Sequence, residues 1–318
     1  MGNAKRIFLL AGVLILSGAQ KIYACDEHGK TGYFPGNPQL TTHRIMMSFF
    51  DEEPKPGLTK EEFDQVIDSV TDVYKDIVKD DHDAELNVRR HWENDQINAF
   101  ASRSGNNYNV DMFGGMARHP LMSPDSFGLV MCHEVGHHIG GAPLKRSFFS
   151  SWASNEGQAD YFASLKCMRK VLIGQDHEKV LEEEDVPTEV ISACETSFPK
   201  PADNASRESG ATEEQLICQR LSVAAKRLGN LSNELRGVDE EAKFLTPDEN
   251  EVTRTDDNHP AGQCRLDSYY QGALCTVSHE IDVDSDDALI GTCNRAEGFE
   301  VGLRPLCWYK PESKVTFF

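Results

Sequence analysis

The sequence predicts an α+β fold that is mainly helical, with a small sheet and a cysteine-rich C-terminal segment. Apolar residues recur at helical spacing in several long segments, and two shorter segments have strand patterns. Of the nine cysteines in the 318-residue chain, four follow residue 251. We therefore expect a signal peptide at residues 1–24, a main domain at residues 25–250, and a segment at residues 251–318 that packs on this domain.

The first residues of the chain have the pattern of an export signal. Lys5 and Arg6 precede an apolar run at residues 7–19, which is too short to cross a bilayer comfortably. Cleavage is expected after Ala24, and the alternative is an uncleaved anchor. Export implies an oxidising compartment, in which cysteines form disulfides.

Cys25 follows the expected cleavage point directly, as does the lipid-bearing cysteine of bacterial lipoproteins. A lipid on Cys25 would leave an even number of cysteines for disulfides. The alternative leaves one free thiol, with Cys132 a good candidate because it lies in an apolar helix. The sequence thus predicts an exported protein of the bacterial periplasm that is either free or attached to the membrane through Cys25.

The charge of the chain excludes two classes of partner. Its formal net charge is −20, and no block of Lys or Arg stands against the acidic residues. Nucleic acids and anionic membrane surfaces are bound through basic patches, so neither is expected as a partner. No segment has a pattern that indicates an oligomer.

Capping residues and glycines mark the elements along the chain. Thr59 and Glu62 form a capping box at the start of a helix whose apolar positions continue to residue 78. Residues 85–92 and 108–113 have strand patterns, and a glycine pair follows the second.

The next two helices have clear ends. Ser123 and Pro124 start the first, because Pro is tolerated at the first helical position, and Gly140 ends it. The second runs from about Ser154 to Ile173.

The first of these two helices contains an HExxH motif. His133 and His137 are four residues apart, so their imidazoles lie on the same helix face and can bind one cation. Zinc suits two neutral imidazoles and a carboxylate, with a fourth position open for water. Glu134 flanks that position and can accept the proton of a water molecule that zinc has made acidic.

A third protein ligand must come from elsewhere in the chain. The spacing that would supply a third histidine places Pro143 there, so a metzincin pattern fails. Glu156 lies on the next helix, and Asp160 follows it by one turn on the same face, where it can accept a hydrogen bond from His133. The alternative for Glu156 is a solvated acid at a helix start.

These motifs together resemble the gluzincin metallopeptidases that include the CAAX prenyl-protein proteases and the HtpX-type proteases, particularly their soluble periplasmic relatives. HEVGH is followed by ExxAD at residues 156–160, and residues 97–116 resemble the family's Asn-Ala segment and strand. His259 and Arg265 match a downstream His-Pro element with an arginine. The segment between HEVGH and Glu156 is short and lacks the apolar insertions of the membrane members.

The resemblance implies a zincin-like fold with one zinc ion bound by two histidines and Glu156. It makes His259 and Arg265 candidates to stabilise the oxyanion of the reaction or to hold the ligand carboxylate. The alternative for His259 is an ordinary residue before Pro260 in a turn. Residues 109–115 are expected to lie beside the active-site helix and to pair with an extended peptide, or else to form a plain core strand.

The predicted function is that of a zinc-dependent metalloendopeptidase that hydrolyses proteins or peptides of the cell envelope, with Glu134 as the general base. The alternative is a zinc-binding assembly factor or chaperone of the envelope with little or no routine proteolysis. His138 has no assigned role and is expected at the surface or in support of the site. His119 precedes Pro120 in a loop and is a further candidate for a position near the cleft.

Overall fold

The computed structural model describes residues 31–36, 38–40, 56–146, 152–200 and 210–311. The predicted signal peptide and Cys25 lie outside these residues. The strands are β1 (Thr31–Gly32), β2 (Glu85–His91), β3 (Ala99–Ser104) and β4 (Asn107–Phe113). The helices are α1 (Lys60–His82), α2 (Gly114–Ala117), α3 (Pro124–Ile139), α4 (Glu156–Phe162), α5 (Met168–Leu172), α6 (His177–Leu181), α7 (Thr188–Ser197), α8 (Glu213–Leu235) and α9 (Gly262–Leu274).

The fold is mixed α+β, as predicted, and the capping signals lie at the helix ends. The capping box of Thr59 and Glu62 is formed at the start of α1. Ser123 caps α3 with Pro124 at its first position, and the helix ends at Gly140. The helix predicted from about residue 154 starts at Glu156 and contains a π-helical turn at Ala163–Cys167 between α4 and α5.

The sheet has four strands in the order β1-β3-β4-β2, although β1 has only two residues. β4 pairs with β3 in antiparallel and with β2 in parallel fashion. The expectation that residues 109–115 offer a free edge to a peptide is therefore wrong, because β4 is bonded on both sides. The alternative, an internal strand, is what the structure shows.

The helix α3 lies at the centre of the molecule. All residues from Asp125 to His138 are buried, which is typical of a helix packed on every side. It contacts α1, α4, α8 and the sheet. Gly136 allows the close approach of α4, since a Cβ there would lie 3.0 Å from the Phe162 ring and 3.3 Å from Ala159. The HExxH motif is thus held inside the core.

The C-terminal segment packs against α4. A small apolar cluster joins Tyr161 and Leu165 to Trp308 and Tyr309. The Trp308 ring lies against Gly157, and its indole N–H donates to the hydroxyl of Ser268 at 2.9 Å. The tail therefore supports the helix that carries Glu156.

Four disulfides connect the described cysteines: Cys132–Cys167, Cys194–Cys218, Cys264–Cys307 and Cys275–Cys293. The last two pairs lie within the C-terminal segment, as the cysteine-rich tail predicted. Cys132 is bonded to Cys167, so the alternative in which Cys132 is a free thiol is wrong. In the part of the chain described here, no helix is long and apolar enough to cross a bilayer.

The contact between Gly157 and Trp308 leads to a test of how the tail is held. A Cβ at residue 157 would lie 2.1 Å from the indole ring, so Gly157→Ala must displace a fully buried side chain. We expect the free energy of unfolding to fall by about 1–3 kcal/mol, measured by urea denaturation. Gly210→Ala is the matched control, because a Cβ there would lie no closer than 3.9 Å to any atom of the described residues, and it should change stability by less than about 0.5 kcal/mol. Equal stability of the two variants would contradict the described packing.

Candidate metal centre

Three side chains from two helices converge on one point in the core. His133 and His137 come from α3, and Glu156 is the first residue of α4. One ligand atom from each lies within 4.8 Å of the others. The Nε2 of His133 is 3.2 Å from Oε2 of Glu156, and the Nε2 of His137 is 3.7 Å from Oε1 of the same carboxylate. This group can hold a metal ion.

The hydrogen bonds of the two rings indicate which nitrogen faces the metal. The Nδ1 of His137 donates to the carbonyl oxygen of Ser154 at 2.8 Å, because a carbonyl can only accept. The Nδ1 of His133 is 2.7 Å from Oδ1 of Asp160 and donates to that carboxylate. In the neutral rings both Nε2 atoms then carry lone pairs, and both are buried without a hydrogen-bond partner in the described ranges of the chain. A cation is the group that such converging lone pairs need.

Asp160 belongs to a chain of buried contacts behind His133. Arg265 donates two hydrogen bonds to its carboxylate, each of 3.0 Å, and a third to the Tyr33 carbonyl oxygen at 2.9 Å. The Arg265 guanidinium also lies 3.8 Å from the centre of the Tyr33 ring. Although burial lowers the pKa of His133, the Asp160 carboxylate raises it to about 9, so a metal that binds Nε2 must displace a proton from it. Arg265 thus fixes Asp160, and none of its described hydrogen bonds reaches Glu156.

Glu134 occupies the remaining side of the centre. Its carboxylate is fully buried, and neither oxygen has a hydrogen-bond partner among the residues that the structure describes. Burial, together with the charge of Glu156, raises the pKa of Glu134 to about 8 against the opposing effect of His133. A buried carboxylate without a donor requires one, and a water or substrate N–H would supply it.

The two oxygens of Glu156 have different surroundings. Oε1 lies 2.5 Å from the ammonium of Lys145 and 3.4 Å from Nε2 of His259, whereas Oε2 faces His133. Although burial raises the pKa of the Glu156 carboxyl, the nearby charges of His259 and Lys145 hold it well below its usual value. The expected alternative of a solvated acid at a helix start is therefore wrong, since Glu156 is fully buried.

His259 reaches the centre from the loop before α9. Its Nε2 donates to the carbonyl oxygen of Gly32 at 2.5 Å and so carries a proton in this conformation. The same Nε2 lies 3.4 Å from Oε1 of Glu156, and the side chain retains 11% exposure, whereas the ligands from α3 and α4 are fully buried. His259 is thus placed as a hydrogen-bond donor at the accessible rim.

Residues 31–36, here called the covering segment, lie over the centre. Tyr33 is fully buried, and its ring meets that of His133 edge-on at 4.8 Å between centroids. The amide of Tyr33 donates to the Ala99 carbonyl at 3.0 Å, and the Asn98 side chain bonds the amide and carbonyl of Phe34. The covering segment therefore runs along the outer side of β3 and separates the ligands from solvent.

His138 and His119 have structural positions away from the metal ligands. The ring of His138 is stacked between Tyr108 and Trp152 at 4.6 and 5.1 Å, and Arg103 donates to its carbonyl. Burial lowers the pKa of His138 to about 3, so the ring is neutral, and the expectation of a surface position is wrong. His119 is buried away from the centre, and its Nε2 lies 3.2 Å from Oε1 of Glu234.

Sequence reasoning missed three residues of this region: Lys145, Tyr33 and Asn98. Asn98 lies in the segment that carried the family resemblance, but its contact with Phe34 joins residues 64 positions apart. The only sequence signal for Lys145 was its position shortly after the HExxH helix. A second group, Asp248 with Cys264 and Cys307, is close enough for a metal, but the two cysteines form a disulfide.

Comparison of the chain with protein-family models, with curated proteins and with solved structures found no significant match. The metal centre must therefore be interpreted from its own geometry.

The contact between Asp160 and His133 predicts an effect on metal affinity. Asp160→Asn keeps the shape of the side chain but removes the charge that orients His133 and pairs with Arg265. We expect the affinity for zinc to fall by about 10- to 100-fold, measured by competition with a chromophoric chelator. Asp111→Asn is the matched control, because Asp111 also joins a histidine (His91, 2.8 Å) to an arginine (Arg89, 2.6 Å). An equal loss in both variants would show that the Asp160 contact has no special part in metal binding.

Proposed function

We propose that this protein is a zinc-dependent endopeptidase with a zincin-like centre of the gluzincin type. The observation that carries the proposal is the convergence of two imidazole lone pairs and a carboxylate oxygen beside a second, unpartnered carboxylate, Glu134. Two histidines and one carboxylate are the ligand set typical of hydrolytic zinc sites with an open position. A site built only to hold zinc would give Glu134 no reason to be buried there without a donor.

Each residue has a part in this chemistry. When bound, zinc supplies a Lewis acid that polarises a peptide carbonyl and makes water acidic near neutral pH. Glu134 accepts the proton of the attacking water and passes it to the leaving amine. The N–H of His259 bonds the Gly32 carbonyl here and would donate to the oxyanion of the reaction once that bond opens, while Arg265 acts through Asp160 to hold His133.

We propose the cell envelope as the site of action and exported proteins or peptides as the substrates. Four disulfides are compatible with an oxidising compartment, and the export pattern of residues 1–24 points the same way. A lipid on Cys25 would keep the enzyme at the membrane. The proposal for substrates rests on the resemblance to gluzincin proteases.

A second candidate function is favoured by one observation. His133, Glu134, His137 and Glu156 are all 0% exposed, and the covering segment closes the side on which Tyr33 lies. A closed centre suits a zinc-binding assembly factor or chaperone that rarely cleaves its clients. In that function zinc would hold α3 and α4 together, and Glu134 would have no proton to transfer.

Replacement of Glu134 separates the two functions. Glu134→Gln keeps the size of the side chain but cannot accept a proton, while the three ligands stay in place. We expect casein hydrolysis to fall by at least about 100-fold, with zinc still stoichiometric by elemental analysis.

Glu182→Gln is the control for the loss of one negative charge, because Glu182 is exposed on the chain after α6, and it should keep wild-type activity. Hydrolysis that survives in the Glu134→Gln protein would overturn the endopeptidase assignment. The assembly factor would be favoured if the wild-type protein shows no hydrolysis and binds clients as well as the Glu134→Gln protein does.

Access to the buried centre gives a further test. To reach the metal, an extended peptide must displace the covering segment or replace its hydrogen bonds to β3. We expect a peptide hydroxamate to accelerate hydrogen exchange at the amides of Tyr33 and Phe34, which otherwise donate to Ala99 and Asn98. Exchange in α7 should not change. Tight binding of the hydroxamate with undiminished protection of residues 31–36 would show that substrates enter by another path.

A further inference from the structure

Lys145 is a buried cation beside the metal ligands. It lies on the chain between α3 and α4, is 5% exposed, and has its ammonium 2.5 Å from Oε1 of Glu156. The backbone around it is held by the hydrogen bond from the Lys145 amide to the Ala153 carbonyl and by a bridge between Leu144 and Ser154. Its position is thus built into the loop that also supplies the Ser154 carbonyl to His137.

The ammonium makes the two oxygens of Glu156 unequal. Oε1 accepts from Lys145, whereas Oε2 is directed at the Nε2 of His133, 3.2 Å away. An oxygen that is bonded to an ammonium is a poorer donor to a metal ion, since the same lone-pair density is already drawn to a positive charge. A carboxylate held in this way is left with one good donor oxygen.

The charges around the centre also indicate that Lys145 limits metal binding by Glu156. The carboxylates of Glu156 and Asp160 are each paired with a buried cation, Lys145 and Arg265 respectively. Arg265 is bound to Asp160, so Lys145 is the cation next to the metal-binding group itself. A positive charge so close to a divalent ion raises the electrostatic free energy of the bound state.

We propose that Lys145 is a positioning residue that restricts Glu156 to binding a metal through one oxygen and thereby lowers the affinity of the centre for the metal. The proposal rests on the proposed hydrolytic function. Such a function needs a metal with a coordination position left for water or substrate, and a carboxylate that binds through both oxygens would fill it. Lys145 therefore lowers the affinity for the metal and keeps one coordination position open.

This role predicts a change opposite in sign to that of an ordinary supporting residue. Lys145→Met keeps the apolar stem and removes the charge. With Co²⁺ as the probe, we expect the affinity to rise by about tenfold or more, measured by competition with a chelator. We also expect the visible d–d absorption of bound Co²⁺ to weaken, because Glu156 then contributes both oxygens and the coordination number rises.

Two further variants and a stability measurement serve as controls. Lys145→Arg keeps a cation at Glu156 and should keep wild-type affinity and spectrum, whereas Lys243→Met removes an exposed charge elsewhere and should change neither. Thermal unfolding without metal shows whether Lys145→Met is folded. If it is not, Lys145→Gln takes its place and should show a smaller rise in affinity, because it removes the charge but keeps a donor to Oε1 of Glu156.

Lower or unchanged cobalt affinity, with an unchanged spectrum, would overturn the role of Lys145. These measurements contain no activity assay, so they are independent of the test with Glu134→Gln. If Lys145→Met raises the cobalt affinity but the wild-type protein does not hydrolyse casein, the role of Lys145 is supported and the proposed endopeptidase function is overturned. A wild-type protein that binds no cobalt would overturn the metal centre and this proposal together.

Discussion

The placement of several charged groups in a dry interior is the constraint on which the rest of the structure depends. An unpaired ion in the core costs several kcal/mol, so each carboxylate of the centre must have a partner. Asp160 has His133 and Arg265, and Glu156 has Lys145. These partners come from α3, α9 and the loop before α4, so the same contacts that neutralise the charges also bring the elements together. Glu134 has no such partner among the described residues, and burial accordingly raises its pKa to about 8.

What the sequence predicted well depends on local signals. The capping residues of α1 and α3 act within one helical turn, so their positions follow from short patterns. The common face of His133 and His137 follows from helix geometry alone. Glu156 could be selected because a second helix start lay at a suitable distance along the chain. The mixed α+β class follows from the same patterns of apolar residues.

The parts that were missed depend on contacts between distant segments. β3 has an irregular apolar pattern and is a strand because β4 and β1 bond to it on both sides. Tyr33 meets Arg265 across more than two hundred positions, and nothing near either residue in the sequence signals the contact. The interior position of β4, which rules out its use as a peptide edge, is a property of strand order. Strand order cannot be read from the residues of one strand.

The pairing of Cys132 with Cys167 has a consequence for how the protein matures. Cys132 immediately precedes His133, and Cys167 ends the π-helical turn that continues from the helix of Glu156. The disulfide and the metal centre therefore join the same two parts of the chain. By thermodynamic linkage, whichever forms first makes the other more favourable, and to the same extent in both directions. Oxidation of Cys132 and Cys167 and metal binding at the candidate centre would thus be coupled, so that the oxidised pair raises the affinity of the centre for a metal.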